Sequence, residues 1–250
     1  MTQKISIVTP TKNSQATIKR TMESVLNQSM TDFEYIIIDG KSTDSTIEII
    51  KSYKDKRIRV ISEPDDGISD AFNKGIKFCS SEVVGIINSD DKFYDNAVFE
   101  RVVEVFSENY EVVYGNALFE EVSGTSWSWM CDEKDFYISI SEKMCIPHPT
   151  VFVRKSTYER VGFFDTRFKI GMDYDFILRA ISLNVKFKHI NETLAVMSAG
   201  GVSDRNIFRR HREIELIKLL NGRSSIPKSL LNFSYNSTVD FIASKLRRYK

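Results

Sequence analysis

Val83-Val84-Gly85-Ile86-Ile87, followed directly by Asn88-Ser89-Asp90-Asp91, is the stretch that decides the fold of this 250-residue chain. A short, continuous apolar run of this kind predicts a strand that is buried on both faces, as in a parallel sheet. Ligands of such sheets collect at the carboxyl ends of the strands, where the two acids stand. Adjacent carboxylates at that edge suit a hard divalent cation shared with a diphosphate, although the same pair also suits a helix N-cap.

The composition is that of an ordinary globular protein. Hydrophobic residues make up 42% of the chain and charged residues 28%, which excludes the disordered and fibrous classes. The three cysteines form no CxxC pair, which predicts a reducing compartment rather than a disulfide framework. The sequence shows neither a basic region followed by an apolar stretch at its N-terminus nor an apolar run of 18 residues, so we expect neither secretion nor membrane spanning.

Strand and helix patterns alternate along the first half of the chain. Strand-like runs lie at 5–9, 33–39, 57–61, 83–87 and 112–114. Helical patterns lie between them at 15–27, 45–53, 69–78 and 96–106. This spacing predicts a parallel, doubly wound α/β sheet. The rhythm breaks after Asn116 and returns at 150–153, 156–161, 174–182 and 185–190 without a linker, so we expect both halves to share one core.

Polar turns follow each of the first four predicted strands. They are Thr9-Pro10-Thr11-Lys12-Asn13, then Asp39 to Asp44, then Glu63 to Gly75, and finally Asn88 to Asp91. Each turn alone has an explanation in capping and turn chemistry. Four such turns along one sheet edge instead favour a binding site for a charged ligand.

These turns, in this order, resemble the motifs of glycosyltransferase family 2, whose members are inverting enzymes with the GT-A fold. The resemblance continues through Pro147–Phe152, Gly162–Asp165, Asp173–Arg179 and Gly200–Ser203, so that it covers roughly residues 4 to 210. It implies an α/β fold with a mostly parallel, Rossmann-like sheet flanked by helices and a helical C-terminal extension. We expect residues 1–115 to form the nucleotide-sugar half of a domain at 1–204, and residues 116–204 its acceptor half.

The resemblance implies transfer of a sugar from a UDP-sugar to a hydroxyl of a glycan or lipid-linked saccharide, in bacterial polysaccharide or O-antigen synthesis. Asp39 would accept the uracil imide proton, for which a carboxylate is the right partner. Lys74 would bind phosphate, although an exposed helical lysine is the plain alternative. The nucleotide-binding residues implied in this way are Thr9, Pro10, Thr11, Asn13, Asp39, Asp66, Gly67, Asp70, Asn73, Lys74, Ser89 and Asp90.

A divalent metal is implied by the same resemblance. Members of the family have Asp-x-Asp-Asp or a close relative at this point, and Asn88 stands in place of the first acid. We expect Asp90 to face the ribose or a metal-bound water and Asp91 to be the direct ligand of Mn2+ or Mg2+. The loss of one carboxylate lowers the local negative charge but keeps the two acids nearest the metal.

Asp173 matches the general base of the family, at the start of a predicted helix. An inverting transfer is a single displacement, so a base must remove the proton of the acceptor hydroxyl. A structural alternative for Asp173 is a carboxylate that complements the helix dipole, and Asp175 is a second candidate base. His148, Gly201 and Ser203 are assigned to the acceptor or diphosphate pocket, with a structural hydrogen bond as the alternative for His148.

Two further features have a structural and a functional interpretation. Trp127 and Trp129 alternate as on a strand and face the same way, either to stack on a sugar or to pack in the core. From Arg205 to Lys250 there are 11 Lys and Arg against 3 acids, with apolar residues mixed in. This tail is predicted to be an amphipathic helical segment that either packs on the body or contacts an anionic membrane.

Other classes of protein fit the sequence less well. A nicotinamide dehydrogenase needs GxGxxG after the first strand, and a nucleotidyltransferase a glycine-rich basic loop there; the turn at Thr9 to Asn13 contains no glycine. A non-catalytic sugar-nucleotide binder stays open. We expect a cytoplasmic protein, at the inner face of the cell membrane, with no nucleic-acid partner. A homo-oligomer and a peripheral contact with anionic lipid both stay open.

Overall fold

The structure is a computed structural model that describes residues 5–121, 124–199 and 206–247. Strands β1 to β9 are Ile5–Thr11, Phe33–Asp39, Ile58–Ser62, Val83–Ile86, Lys92–Phe93, Val112–Glu120, Ser126–Trp129, Phe152–Arg154 and Phe187–Ser198. Helices α1 to α9 are Ile18–Leu26, Thr46–Ser52, Ile68–Phe78, Val98–Phe106, Glu133–Glu142, Lys155–Val161, Met172–Ser182, Ile207–Leu220 and Ile226–Arg247. A short 3-10 turn spans His148–Thr150.

All nine of these strands form one sheet, in the order β3-β2-β1-β4-β8-β6-β9-β5, with β7 beside β6. Strands β3, β2, β1 and β4 are parallel, which confirms the prediction for the first half. Helices cover both faces there, and every residue of β1 is buried. The register sets Thr11 opposite Asp39, so the loops after β1 and β2 meet at the sheet edge.

The second half departs from a purely parallel sheet. Strand β8 runs antiparallel to both β4 and β6, and β5 runs antiparallel to β9, whereas β6 and β9 are parallel. The result is the mixed sheet of a GT-A-like fold. Strand β5 has two residues and α5 lies where the periodicity breaks down, so neither was predicted from the sequence.

Two apolar clusters sandwich the sheet. One contains Phe72 of α3, Tyr114 of β6 and Phe176 of α7, and the other contains Ile18 of α1 and Phe99 of α4. Burying a large apolar side chain of this kind contributes about 1.5–3 kcal/mol, so both layers hold the sheet in place. Tyr114 and Phe176 belong to the same cluster, so β6 and α7 pack in one core.

The C-terminal extension is helical, as predicted. Helix α8 packs on α7, and α9 packs on α8. On α9 the buried positions are small and polar, such as Ser229 and Ser237, whereas Leu231 and Tyr235 are exposed. Among the described residues, no helix combines the length and the apolar character that a membrane span needs.

Candidate active site

The acid pair lies in the turn between β4 and β5. Asp91 is buried, with 3% of its surface exposed, and its carboxylate accepts hydrogen bonds from the backbone N–H of Ser198 and the side-chain amide of Asn88, both at 3.2 Å. The Asp90 side chain is half-buried. Its backbone carbonyl accepts hydrogen bonds from the guanidinium of Arg20 at 2.6 Å and from the Ser198 hydroxyl at 2.8 Å.

Burial, together with the charge of Asp90, raises the pKa of Asp91 to about 7. A carboxyl with that pKa is only partly ionised at neutral pH, and an added cation would favour its charged form. Each oxygen of Asp91 accepts one hydrogen bond within the protein, so Asp91 helps to hold the turn while its carboxylate keeps further acceptor capacity. The assignment of Asp91 as the direct metal ligand stays a prediction.

The two carboxylates of the acid pair offer oxygen ligands, which Mn2+ and Mg2+ prefer. The side-chain oxygen Oδ1 of Asn88 is buried without a hydrogen-bond partner, and it adds an acceptor beside the two carboxylates. Within the described part of the chain, no three His, Cys, Asp or Glu side chains converge as an all-protein metal cage. The residues present therefore fit a cation that shares its coordination with a diphosphate rather than one held by protein alone.

Four predicted nucleotide contacts lie at the end of β1 and in the turn after it, and their surroundings differ. Thr9 is fully buried and its hydroxyl accepts a hydrogen bond from Tyr35, so its side chain has a partner inside the fold and its contact with the nucleotide stays a prediction. Pro10 is buried within β1. The Thr11 hydroxyl is buried without a hydrogen-bond partner at the strand end, as expected of a group that awaits a ligand. Asn13 accepts a hydrogen bond from the backbone N–H of Thr43 at 2.8 Å and so links the two loops.

Asp39 closes β2 with a fully buried carboxylate. It accepts hydrogen bonds from the hydroxyl of Ser42 at 2.5 Å and from that of Ser62 at 2.6 Å, besides the backbone N–H of Ser42. These bonds orient the carboxylate between the loops that follow β2 and β3. Asp39 thus lies at the predicted edge, and its contact with uracil stays a prediction.

The turn into α3 is stabilised by contacts among its own residues. Gly67 has φ 106°, a left-handed conformation that favours glycine. Asp70 accepts a hydrogen bond from the backbone N–H of Asp66 at 3.2 Å, and its carboxylate is 3.1 Å from Nζ of Lys74. These contacts fix the shape of the segment that follows β3, and the Asp66 side chain is exposed beside it.

Asn73 and Lys74 of α3, both predicted to contact the sugar nucleotide, have partners within the protein, and their contacts with the sugar nucleotide stay predictions. The Asn73 amide donates to the carbonyl of Phe164 at 2.8 Å and accepts from its N–H at 3.0 Å, so it joins α3 to the acceptor half. Nζ of Lys74 has three acceptors in Glu63 at 3.1 Å, Asp70 and the carbonyl of Pro64 at 2.7 Å. An ammonium donates three hydrogen bonds, so a phosphate bound by Lys74 would have to replace one of these acceptors.

Asp173 is the second residue of α7, with 21% of its side chain exposed. Its Oδ1 accepts the backbone N–H of Tyr174 at 2.8 Å, and its Oδ2 lies 4.0 Å from Nδ1 of His148. Burial raises the pKa of Asp173 to about 6 and lowers that of His148 to about 4. At neutral pH the pair is therefore a charged carboxylate beside a neutral imidazole, which suits Asp173 to accept a proton.

The surroundings of His148 and Asp175 bear on two alternatives from the sequence: a structural hydrogen bond for His148, and Asp175 as a second candidate base. The His148 ring stacks on Phe72 with centroids 5.0 Å apart, and its Nε2 is buried without a partner. Asp175 is buried and pairs with Arg179 at 2.8 Å. Since Arg179 also donates to the carbonyls of the Val161–Phe163 turn, the Asp175 pair joins α7 to that turn, which favours Asp173 over Asp175 as the candidate base.

Several residues of this region escaped the sequence analysis. Arg20 and Ser198 bind the acid-pair turn, and the Ser14 hydroxyl lies 2.9 Å from that of Ser89. Lys169 donates to the carbonyl of Asp66, which ties the loop before α7 to the turn into α3. These residues lie on a helix, at a strand end and in loops that are far apart in sequence, so no local pattern marks them. Gly201 and Ser203 lie outside the described residues.

The mixed sheet and the polar turns at the carboxyl ends of its parallel strands are typical of one class of protein, the GT-A-like glycosyltransferases. Residues 6–181 match the family model described as Glycosyl transferase family 2, and the chain belongs to that family.

Relatives and solved structures agree with this class. The chain is 25% identical over 193 residues to a PGL/p-HBAD biosynthesis glycosyltransferase of Mycobacterium bovis, covering 74% of this chain and 73% of the relative. It is 30% identical over 199 residues to chondroitin synthase of Pasteurella multocida, covering 75% of this chain but only 20% of that enzyme.

Two solved structures share the fold. S. aureus TarS 1-349 in complex with UDP-GlcNAc has a TM-score of 0.65 at 20% identity, over 86% of this chain and 66% of that one. The mannosyltransferase PcManGT of Pyrobaculum calidifontis, in complex with GDP-Man and Mn2+, has a TM-score of 0.70 at 15% identity, over 98% and 76%. The chain thus spans just under two thirds of that TarS fragment and a fifth of the synthase.

Proposed function

We propose that this glycosyltransferase moves a sugar, with inversion, from a UDP-sugar to a hydroxyl of a saccharide acceptor. The observation that carries the proposal is the Asp173 carboxylate, which burial gives a pKa of about 6 beside the neutral ring of His148. In a single displacement the acceptor oxygen bonds to the anomeric carbon, its proton passes to Asp173, and the bond to UDP breaks.

The donor half of the proposal rests on the loops after β1, β2 and β3. The orphaned Thr11 hydroxyl and the oriented Asp39 carboxylate lie at neighbouring strand ends, where a nucleoside would find both an acceptor for an imide N–H and a hydroxyl. Asn13, Gly67 and Ser89 shape the adjoining loops. Binding of UDP-GlcNAc by TarS supports uridine, whereas GDP-Man in the mannosyltransferase makes guanosine the competing base.

The two acids after β4 differ in burial, and this difference favours separate roles for them in binding a cation. Asp90 is half-buried whereas Asp91 is buried, so Asp90 is the more accessible acid, and we propose it in place of Asp91 for the direct contact with Mn2+ or Mg2+. Asp91 would then fix the turn. A divalent cation at this place supplies positive charge against the departing diphosphate.

The acceptor is proposed to be a glycan or lipid-linked saccharide in bacterial polysaccharide or O-antigen assembly. Trp127 is 47% exposed and stacks on Phe119, with ring centroids 4.8 Å apart, while the Trp129 indole N–H donates to the carbonyl of Cys145. An exposed indole beside an anchored one offers a flat apolar surface with polar edges, which suits a sugar ring. The relatives named for chondroitin and PGL/p-HBAD synthesis support this class of acceptor.

The setting is proposed to be the inner face of the cell membrane. Helix α9 exposes Leu231, Tyr235 and Val239 while it buries serines against α8, so its apolar side faces outward. The tail around it is strongly basic. An exposed apolar face with flanking cations suits an anionic bilayer, and two copies of the tail would repel each other.

A test of the transferase assignment measures UDP release from UDP-glucose, UDP-galactose, UDP-GlcNAc and UDP-GalNAc, with GDP-mannose as the rival donor. Each is assayed with Mn2+ and with a chelator, for the parent and for Asp173→Asn. We expect slow hydrolysis of one UDP-sugar that requires the metal and is lost in the variant. Release from GDP-mannose alone would transfer the proposal to a guanosine donor, and release that ignores both metal and variant would refute it.

A further inference from the structure

The loop that enters α7 is held by a carboxylate from the C-terminal extension. The backbone N–H groups of Lys169, Ile170 and Gly171 donate to one or both oxygens of Glu213, at 2.8 to 3.2 Å. Arg209 contributes a fourth donor at 2.8 Å. Three consecutive backbone N–H groups around one carboxylate form a concave anion site, here filled by a residue of the same chain.

The Glu213 carboxylate is 4% exposed, and its environment favours the charged form. Burial alone would raise its pKa, but the hydrogen bonds from Arg209 and the three backbone N–H groups hold the pKa below its usual value. A buried carboxylate is retained at such a place only when its partners compensate for lost water. All of these partners lie on the loop or on α8 itself, so the bond network joins these two segments.

Two more contacts follow along the same side of α8. Ile217 packs so closely on Gly171 that a Cβ there would lie 2.7 Å from its side chain. The Asn221 side chain donates to Asp175 of α7 at 3.3 Å. Residues 213, 217 and 221 are spaced by four and therefore share one helix face. This face runs along the start of α7, where Asp173 lies.

We propose that Glu213 is a positioning residue for Asp173, and that α8 is thereby a working part of the active site. The inference rests on the proposed role of Asp173 as base. Gly171 is two residues before Asp173, and Lys169 also donates from its side chain to the Asp66 carbonyl on the donor side. When Glu213 holds this loop, it thereby fixes the position of Asp173 relative to the turn into α3. Helix α8 lies beyond the residues 6–181 that match the family.

The experiment compares Glu213→Gln and Glu213→Ala with the matched control Glu215→Gln. Glu215 lies on the same helix at similar burial, but its partner is Lys218 of α8 rather than the loop. Hydrogen exchange of peptides that contain Lys169 to Gly171 reports the loop without any ligand. We expect exchange to increase by about tenfold or more in Glu213→Ala, less in Glu213→Gln because its oxygen still accepts, and not in the control.

Activity is measured as UDP release from a mixture of the four UDP-sugars named above, and UDP affinity by calorimetry. A base displaced by about 1 Å loses up to about 10²-fold in turnover, so kcat should fall in the order parent, Gln, Ala. The KM for the donor and the affinity for UDP should stay near those of the parent. The melting temperatures of the variants, compared with that of the control, separate this effect from general loss of stability.

A double-variant cycle decides whether Glu213 acts through Asp173. In Asp173→Asn the base is absent, so adding Glu213→Ala should lower the residual turnover no further. An equal fall in both backgrounds, or unchanged loop exchange in Glu213→Ala, would overturn the inference. If instead Asp173→Asn itself retains parental turnover, the proposed base is wrong, while the exchange data still report the loop contact separately.

Discussion

Nδ1 of His148 lies 4.0 Å from Oδ2 of Asp173, and the two groups have opposite responses to their shared burial. Burial raises the pKa of the carboxyl to about 6 and lowers that of the imidazole to about 4. Between these values both groups are predominantly neutral, and above pH 6 only Asp173 carries charge. The contact is therefore not an ion pair at neutral pH.

The first prediction is a pH profile set by Asp173. A base works only when deprotonated, so kcat should fall as the pH is lowered through about 6 and level off above about 7. Asp173→Asn should lower turnover by about 10²-fold or more and leave UDP affinity nearly unchanged. A parental turnover in the variant, or a profile flat from pH 5 to 8, would contradict the assignment.

The second prediction concerns the charge of His148. Its ring is stacked on Phe72 and desolvated, so the imidazole signals in an NMR titration should move near pH 4 and not near 6.5. Because the folded state disfavours the charged ring, His148 should make the protein less stable as the pH falls from about 6.5 to 4. His148→Phe keeps the stack and should lose this part of the acid sensitivity. A titration near 6.5 would indicate a charged pair with Asp173.

The third prediction separates the two acids after β4. Calorimetry of UDP with and without Mn2+ should show that Asp90→Asn removes the gain in affinity that the metal gives. Asp91→Asn should keep that gain but lower the melting temperature, because its buried contacts to Ser198 and Asn88 are weakened. The reverse pattern would restore Asp91 as the direct ligand.

The parts of the site that lie next to strands could be predicted from the sequence. The apolar runs and their polar turns placed Asp39, Thr11 and the acid pair at one edge, because parallel strands bring their carboxyl ends together. The mixed second half was not predictable in this way, since β5 has two residues and no local pattern shows that β8 runs antiparallel to its neighbours. Periodicity needs a longer run than β5 provides.

Contacts between distant segments were beyond the sequence for a different reason. Asn73 and Lys74 have the residue types of a phosphate site, and only the fold shows that Phe164, Glu63 and Pro64 use their donors. Likewise, the sequence shows Glu213 only as one of three acids in a basic tail. The structure shows that it binds the backbone of the loop Lys169 to Gly171. Local patterns specify elements, whereas partner choice depends on how the elements pack.

The fourth prediction concerns the clamp between α3 and the Phe164 backbone. Asn73→Ala leaves the buried N–H and C=O of Phe164 without partners, at a cost of about 1–3 kcal/mol each. Urea unfolding should therefore show a clear loss of stability, while calorimetry at low temperature shows near-parental affinity for UDP. Lower UDP affinity without a loss of stability would return Asn73 to the donor site.

The fifth prediction tests the exposed face of α9 against a bilayer. Leu231 and Tyr235 are 73% and 70% exposed, whereas Ser229 and Ser237 of the same helix are buried. Burying a leucine in lipid contributes about 1.5–3 kcal/mol, and each basic residue near an anionic surface on the order of 1 kcal/mol. The parent should sediment with vesicles rich in phosphatidylglycerol, less so at high salt, because salt screens the charge.

Leu231→Glu should lower vesicle binding by about tenfold or more and leave UDP binding intact. Leu183→Glu, at an exposed leucine just after α7, is the matched control and should bind as the parent does. If the parent ignores anionic vesicles at low salt and Leu231→Glu instead converts a dimer to a monomer in gel filtration, the outward face is a contact between two copies.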